Sequence, residues 1–202
     1  MKLSKATEVV FDAHSRAAYP SANPPLYDSS TFHQDVLGGE TSYDYARSGN
    51  PNRDLLEQML AKLEGGTHGF AFASGIAAIS AVLLTLNAND HVILPDDVYG
   101  GTFRLTSQIL TRFNISFTTV DTTDVSQIEE AIQDNTKLIY IETPSNPLFK
   151  ITDIRAVAQI AKRHDLYLAV DNTFMTPLGQ SPLALGADVV VHSATKFLSG
   201  HS

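Results

Sequence analysis

From Asn50 onward the chain alternates short, continuously apolar runs with stretches of helical spacing, and this alternation narrows the available folds more than any other feature. The runs are HVILP at His91–Pro95, NISFTTV at Asn114–Val120, KLIYIET at Lys137–Thr143, LYLAVD at Leu166–Asp171 and ADVVVHS at Ala187–Ser193. Strands that lack polar alternation are covered on both faces, so the pattern predicts an α/β fold with a largely parallel sheet sandwiched by helices. Ligands of such sheets bind beyond the carboxyl ends of the strands, and the residues just after each run are therefore the ones to weigh.

The helical spacing is equally specific. Asn52 caps a helix whose face carries Leu55, Leu56, Met59, Leu60 and Leu63, and Gly65-Gly66 ends it. Further helices are expected over Ile76–Leu86, Thr102–Arg112, Val125–Ile132 and Asp153–His164, the last capped by Thr152 or Asp153. The short apolar run Gly69–Ala73 reads as a strand that ends before Ser74-Gly75. Residues 1–49 differ: YPSANPPLYDSSTFHQ has neither period, and its aromatic residues (Tyr19, Tyr27, Phe32, Tyr43, Tyr45) suit an extended arm that packs on another surface.

Composition excludes several classes. Fourteen Lys and Arg against twenty-two Asp and Glu leave a formal charge of −8, which is wrong for a nucleic-acid partner. Without cysteine there is no disulfide, zinc thiolate or thiol nucleophile. The seven histidines never fall at a metal-ligand spacing, so no metal is expected. The longest apolar stretch, Ile76–Leu86, is too short for a membrane span. The N-terminus has no apolar signal core, and a cytoplasmic location is the expectation. G-x-G-x-x-G, P-loop and G-x-S-x-G motifs are all missing.

Four strand ends carry chemistry. Asp171 closes a fully apolar strand, where a carboxylate is costly unless it meets a cation, although an Asp can equally cap the next turn. Lys196 follows the last strand between hydroxyl residues and Phe197; partial desolvation there would free its amine as a nucleophile, but alone it also reads as a surface lysine. Ser74-Gly75 opens a helix whose free N–H groups suit a phosphate, with Ser193 and Thr195 as further donors. Tyr99, between a strand end and two glycines, can stack on a planar ligand or sit on a loop rim. Carboxylate, amine, phosphate cradle and aromatic cover together match the needs of pyridoxal 5′-phosphate.

The segments YDYARSGNP (Tyr43–Pro51), FASGIAA (Phe72–Ala78), DDVYGGTFR (Asp96–Arg104), ETPSNP (Glu142–Pro147), VDNTF (Val170–Phe174) and HSATKFLSGHS (His192–Ser202) occur in this order. In that order they resemble the Cys/Met-metabolism family of pyridoxal-phosphate enzymes, the cystathionine γ-synthase-like group, and within it the cystathionine β-lyases of Gram-positive bacteria. The resemblance implies the large domain of the aspartate-aminotransferase-like fold over 50–202, truncated and lacking the C-terminal small domain with its carboxylate-binding arginine. It implies an arm over 1–49 that reaches a neighbouring subunit.

Carried onto this sequence, the resemblance makes Lys196 the residue that holds the cofactor aldehyde and moves the substrate proton, with Tyr99 stacked on the ring and assisting at the substrate amine. Asp171 pairs with the ring nitrogen. Ser74, Gly75, Ile76, Ser193 and Thr195 hold the phosphate, Asn146 and Thr173 line the rim, and Tyr45 and Arg47 reach the phosphate of the neighbouring subunit. The implied function is a carbon–sulfur lyase of methionine biosynthesis and transsulfuration. It would cleave cystathionine by β-elimination to homocysteine, pyruvate and ammonia, as a homodimer with shared sites and a homotetramer of such dimers. A γ-lyase, a γ-synthase using O-acetylhomoserine, or an inactive cofactor-binding or dimerisation module are the alternatives.

Overall fold

The structure is a computed structural model that describes Ser4 and residues 23–34, 36, 38–39 and 41–201; the expectation placed on Tyr19 lies outside the described residues. The chain divides into two compact units, 1–71 and 72–202.

In the first unit the segment around residues 30–46 forms an antiparallel bridge between Thr31 and Tyr45, closed by Phe32 N–H to Asp44 O and Ala46 N–H to Ser30 O, both 2.9 Å. Helix α1 spans Pro51–Glu64. Its cap is Asn50, not Asn52: the Asn50 side chain accepts from the N–H groups of Asn52 and Arg53. Pro51 explains the shift, because proline suits the first helical position and leaves the preceding residue as cap. Asn52 instead ties the arm down, accepting from Tyr27 N–H at 2.8 Å and donating to Pro25 O at 2.7 Å. Gly65, at φ 77°, ends the helix in the left-handed conformation that glycine tolerates.

The second unit is the α/β layer. Its elements are α2 (Gly75–Leu83), β1 (His91–Pro95), α3 (Gly100–Gln108) with a 3-10 turn at Leu110–Phe113, β2 (Ser116–Val120), α4 (Val125–Glu130), β3 (Thr136–Glu142), α5 (Ile154–Arg163), β4 (Tyr167–Asp171), α6 (Thr176–Gly179), α7 (Pro182–Leu185) and β5 (Val189–Val191). All five strands pair in parallel, in the order β2-β1-β3-β4-β5. The run at Gly69–Ala73 is no strand: it lacks regular structure, and Phe70 and Phe72 are exposed.

Two apolar clusters cover the sheet. Ile79 and Leu83 of α2 join Val92, Leu94, Leu138, Tyr140, Ala169 and Val191 on one face. Ile128 of α4 and Ile154, Val157, Ile160 and Ala161 of α5 cover Ile93, Ile139, Ile141, Leu168 and Val170 on the other. Alternate residues of one strand thus feed opposite cores, which is why the strands read as continuous apolar runs. Asp153 caps α5 by accepting from Ala156 N–H, the second of the two expected caps. Among the described residues, no helix is long and apolar enough to cross a membrane.

Candidate active site

The strand order reverses direction at β1, which has β2 on one side and β3 on the other. A crevice at such a reversal, outside the carboxyl ends of the strands, is where open α/β sheets take ligands. Tyr99 follows β1, Glu142 ends β3, Asp171 ends β4, and the turn bearing Lys196 follows β5.

Asp171 is 6% exposed. Its Oδ1 accepts from Thr173 N–H at 3.0 Å and from the Thr173 hydroxyl at 2.5 Å, and its Oδ2 accepts from the Tyr140 hydroxyl at 3.1 Å. The turn-capping contact open to any Asp is therefore made, by one oxygen. The other is aimed by a tyrosine that is fully buried in the sheet. Burial and the Asp171 charge push the Tyr140 hydroxyl well above its usual range, so it remains a donor. Three donors on a buried carboxylate fix its position.

Thr173 extends this network. While donating to Asp171, its hydroxyl accepts from Ser193 N–H at 2.8 Å. Thr173 is thus not a simple rim residue: it is buried and couples the end of β4 to the turn after β5. Ser193 in turn packs on the start of α2, where a Cβ on Gly75 would lie 2.7 Å from Ser193 Cβ and 2.9 Å from its Oγ. Only a glycine permits that approach. Ser74 caps α2, its Oγ accepting from Ala77 N–H at 3.2 Å and its carbonyl from Ala78 N–H at 3.1 Å. Those of Gly75 and Ile76 have no carbonyl one turn back, and they mark the positive end of the helix dipole beside the Ser193 hydroxyl.

Thr195 and Lys196 lie on the same turn, held by Lys196 N–H to Ser193 O at 3.0 Å and Gly200 N–H to Lys196 O at 2.9 Å. Phe197 anchors it, its ring 5.8 Å from Phe174. Lys196 is exposed, which corrects the expectation of a partly desolvated amine: it stands on the rim turn and not inside the layers. Tyr99 is 44% exposed, and its backbone N–H donates to Glu142 Oε2 at 3.0 Å. Asn146 is half-buried in the loop after β3. That loop is tied to β1 by Asp97, which accepts from the Ser145 hydroxyl at 2.5 Å and Leu148 N–H at 3.1 Å. Lys150 bridges Asp96 and Asp121 at 3.0 and 3.1 Å.

Tyr45 and Arg47 belong to the first unit. The Arg47 guanidinium lies 4.8 Å from the Tyr45 ring centroid, and both side chains are exposed. Arg53 fastens their turn by donating to Arg47 O at 3.2 Å and Ser48 O at 2.7 Å.

Glu142, Tyr140 and Asp97 carry no role in the sequence reading. Glu142 is legible in hindsight, being a carboxylate at the end of an apolar strand like Asp171. Tyr140 lies inside a strand and Asp97 in a charged loop, and neither has a distinguishing pattern.

This donor set fits a planar, phosphorylated heteroaromatic aldehyde. A fixed buried carboxylate can face a protonated ring nitrogen, a helix start closed against Ser193 can take a phosphate, and a nearby turn carries an exposed primary amine. Among the described residues no group of three His, Asp or Glu is placed to hold a metal ion.

The comparisons agree with this chemistry. A family model described as Cys/Met metabolism PLP-dependent enzyme matches residues 6–202. The chain is 80% identical over 202 residues to the cystathionine β-lyase MetC of Staphylococcus haemolyticus, covering all of this chain and 52% of that protein. It is 54% identical over 178 residues to a cystathionine γ-lyase of Bacillus subtilis, 88% of this chain and 47% of that one. A crystal structure of cystathionine γ-lyase from Lactobacillus plantarum, complexed with L-serine, superposes with a TM-score of 0.93 at 46% identity, over 99% of this chain and 52% of that one. The chain spans about half the length of the curated relatives it matches.

Proposed function

The chain belongs to the Cys/Met metabolism PLP-dependent enzymes, and from that premise we propose that the full-length protein is a cystathionine β-lyase. It would convert cystathionine and water to homocysteine, pyruvate and ammonia, a step of methionine biosynthesis by transsulfuration. The observation that carries the cofactor site is the unbroken chain of contacts from Asp171 through Thr173 and Ser193 to Gly75. The choice of β-elimination is supported by the 80% identity to a protein of that name.

Bound pyridoxal phosphate supplies an aldehyde for condensation with an amine and a ring that accepts electrons. The residues of this chain do the rest. Lys196 would hold the cofactor aldehyde and, with a substrate amine in its place, would take the proton from the substrate Cα. Asp171, fixed by Tyr140 and Thr173, keeps a proton on the ring nitrogen and so favours charge flow away from Cα. The N–H groups of Gly75 and Ile76, with the hydroxyls of Ser74, Ser193 and Thr195, hold the phosphate. Tyr99 covers a ring face and assists at the substrate amine, and Asn146 borders the ring. Tyr45 and Arg47 reach the phosphate of a neighbouring subunit, in a homodimer with shared sites and a homotetramer of such dimers. The location is cytoplasmic.

A second reading is a γ-lyase, or a γ-synthase using O-acetylhomoserine. The 54% identity to a γ-lyase favours keeping it, since the same residues serve both. Product analysis separates them: cystathionine yields pyruvate under the first reading and 2-oxobutyrate with a γ-lyase, whereas joining O-acetylhomoserine to cysteine marks a synthase. The full-length protein should be yellow with bound cofactor, and borohydride should bleach the band. Lys196→Ala should abolish the borohydride-sensitive band and lower turnover by roughly a thousandfold or more. A band that survives this change removes Lys196 from the role.

A further inference from the structure

Glu142 stands where the sheet reverses. It closes β3, in register with Asp171 of β4, and is 3% exposed. A buried carboxyl beside a second carboxylate costs stability unless something needs it there. What it holds is not core. Its Oε2 accepts the backbone N–H of Tyr99, whose side chain is 44% exposed over the carboxyl end of the sheet. Tyr99 is the residue before α3 and makes no side-chain cap for that helix. Its ring rests on Gly101, where an added Cβ would come within 2.3 Å of Tyr99 Cε1. The backbone is thus pinned from below and the ring is seated from the side.

We propose that Glu142 is a positioning residue that sets the height and tilt of the Tyr99 ring over the cofactor by clamping its backbone N–H. This rests on the reading of the site as a pyridoxal-phosphate site. A glutamine at 142 keeps an oxygen acceptor for that N–H. An alanine or a methionine does not, and methionine nearly fills the original volume. Burial, with Asp171 and Asp97 nearby, raises the Glu142 carboxyl to about 7, and both its protonated and its charged form offer an oxygen to the Tyr99 N–H.

The test uses the full-length protein and titrates the apoprotein with pyridoxal phosphate. It reads the dissociation constant, the visible circular dichroism of the bound cofactor, and deuterium exchange of the peptide spanning 96–103. Glu142→Ala, or Glu142→Met if alanine does not fold, should weaken binding roughly tenfold, change the visible dichroism and speed exchange at Tyr99. Glu142→Gln should stay within about twofold of the parent. Combined with Tyr99→Ala, the Glu142 change should add nothing, because the ring it positions is gone. Equal losses in both backgrounds, or unchanged binding and dichroism in the single variant, overturn the inference while leaving the cofactor reading intact. A parent protein that takes up no pyridoxal phosphate overturns the cofactor reading, and the inference with it.

Discussion

At the amino end of the sheet, His91 is 1% exposed, and its ring nitrogens lie 2.8 Å from the Thr136 hydroxyl and 2.9 Å from the Thr118 hydroxyl. Gln133 joins the group, 3.3 Å from His91 Nε2, and its backbone N–H donates to Thr136 Oγ1. Every one of these groups is uncharged when His91 is neutral, and burial favours that form. At the carboxyl end, Glu142 and Asp171 stand side by side in register. Tyr99, Tyr140 and Thr173 meet them with N–H and O–H donors, not cations. Both ends bury polar side chains. One end is closed on itself and neutral, while the other sets two buried carboxyl groups side by side. Polar burial at the amino end serves the sheet; at the carboxyl end it is what the proposed cofactor site would use.

The largest test of that division is Asp171→Asn in the full-length protein. Asparagine keeps one oxygen for the two Thr173 donors and turns its NH2 toward Tyr140, whose hydroxyl can accept from it, but loses the charge. Turnover should fall by roughly a hundred- to a thousandfold, the usual cost of removing one preorganised electrostatic partner. The urea midpoint of the apoprotein should hardly move or should rise, since a buried charge is gone. Paired kinetics and equilibrium unfolding check this. A large stability loss with retained turnover would place Asp171 in the same class as His91.

The pH dependence of stability sharpens the contrast, because the two ends have opposite signs. Glu142 has its folded value raised to about 7 from an ordinary 4.5, so the unfolded chain gives up its proton first. Its contribution is intact below about pH 4.5 and is lost as pH rises through 7, by about 3 kcal/mol at most. His91 has its folded value lowered from 6.5, so the unfolded chain binds the proton first and stability falls as pH drops below 6.5. Glu142→Gln should therefore gain on the parent more at pH 8 than at pH 5. His91→Gln should compare better with the parent at pH 5 than at pH 8. Urea midpoints across this range decide; parallel curves for parent and variants would mean that neither group is buried as described.

The centre of the sheet was legible in the sequence because β1, β3 and β4 each feed two cores and are apolar nearly throughout. HVILP needed no adjustment: the strand is His91–Pro95. Ends set by side-chain hydrogen bonds were harder, as with Asn50 and Asn52, one of which caps α1 while the other reaches Pro25 and Tyr27. Gly69–Ala73 misled because apolar content signals burial only when a partner strand exists, and Phe70 and Phe72 have none. Asp171 and the Ser74-Gly75 start announce themselves by residue type at a strand end or helix start. Tyr140 does not, since its hydroxyl matters through a neighbour 31 residues away. Exposure of Lys196 was likewise hidden, because a motif names a residue without showing what covers it.

Thr173 offers the smallest effect and the finest discrimination. Its hydroxyl donates to Asp171 and accepts from Ser193 N–H, so it belongs to both the acid and the phosphate turn. Thr173→Val keeps the shape and removes both bonds, whereas Thr173→Ser retains them. A hydroxyl engaged twice in a buried site is worth about 1–2 kcal/mol. If that energy only held the fold together, valine would lower the apoprotein midpoint and leave cofactor affinity alone. If, as proposed, Asp171 faces the ring nitrogen and the Ser193 turn the phosphate, Thr173 joins the two, and valine should weaken pyridoxal phosphate about five- to tenfold. Serine should restore affinity to within about twofold. Equilibrium titration of the three proteins measures this directly, and an unchanged affinity in the valine variant would uncouple the two halves of the site.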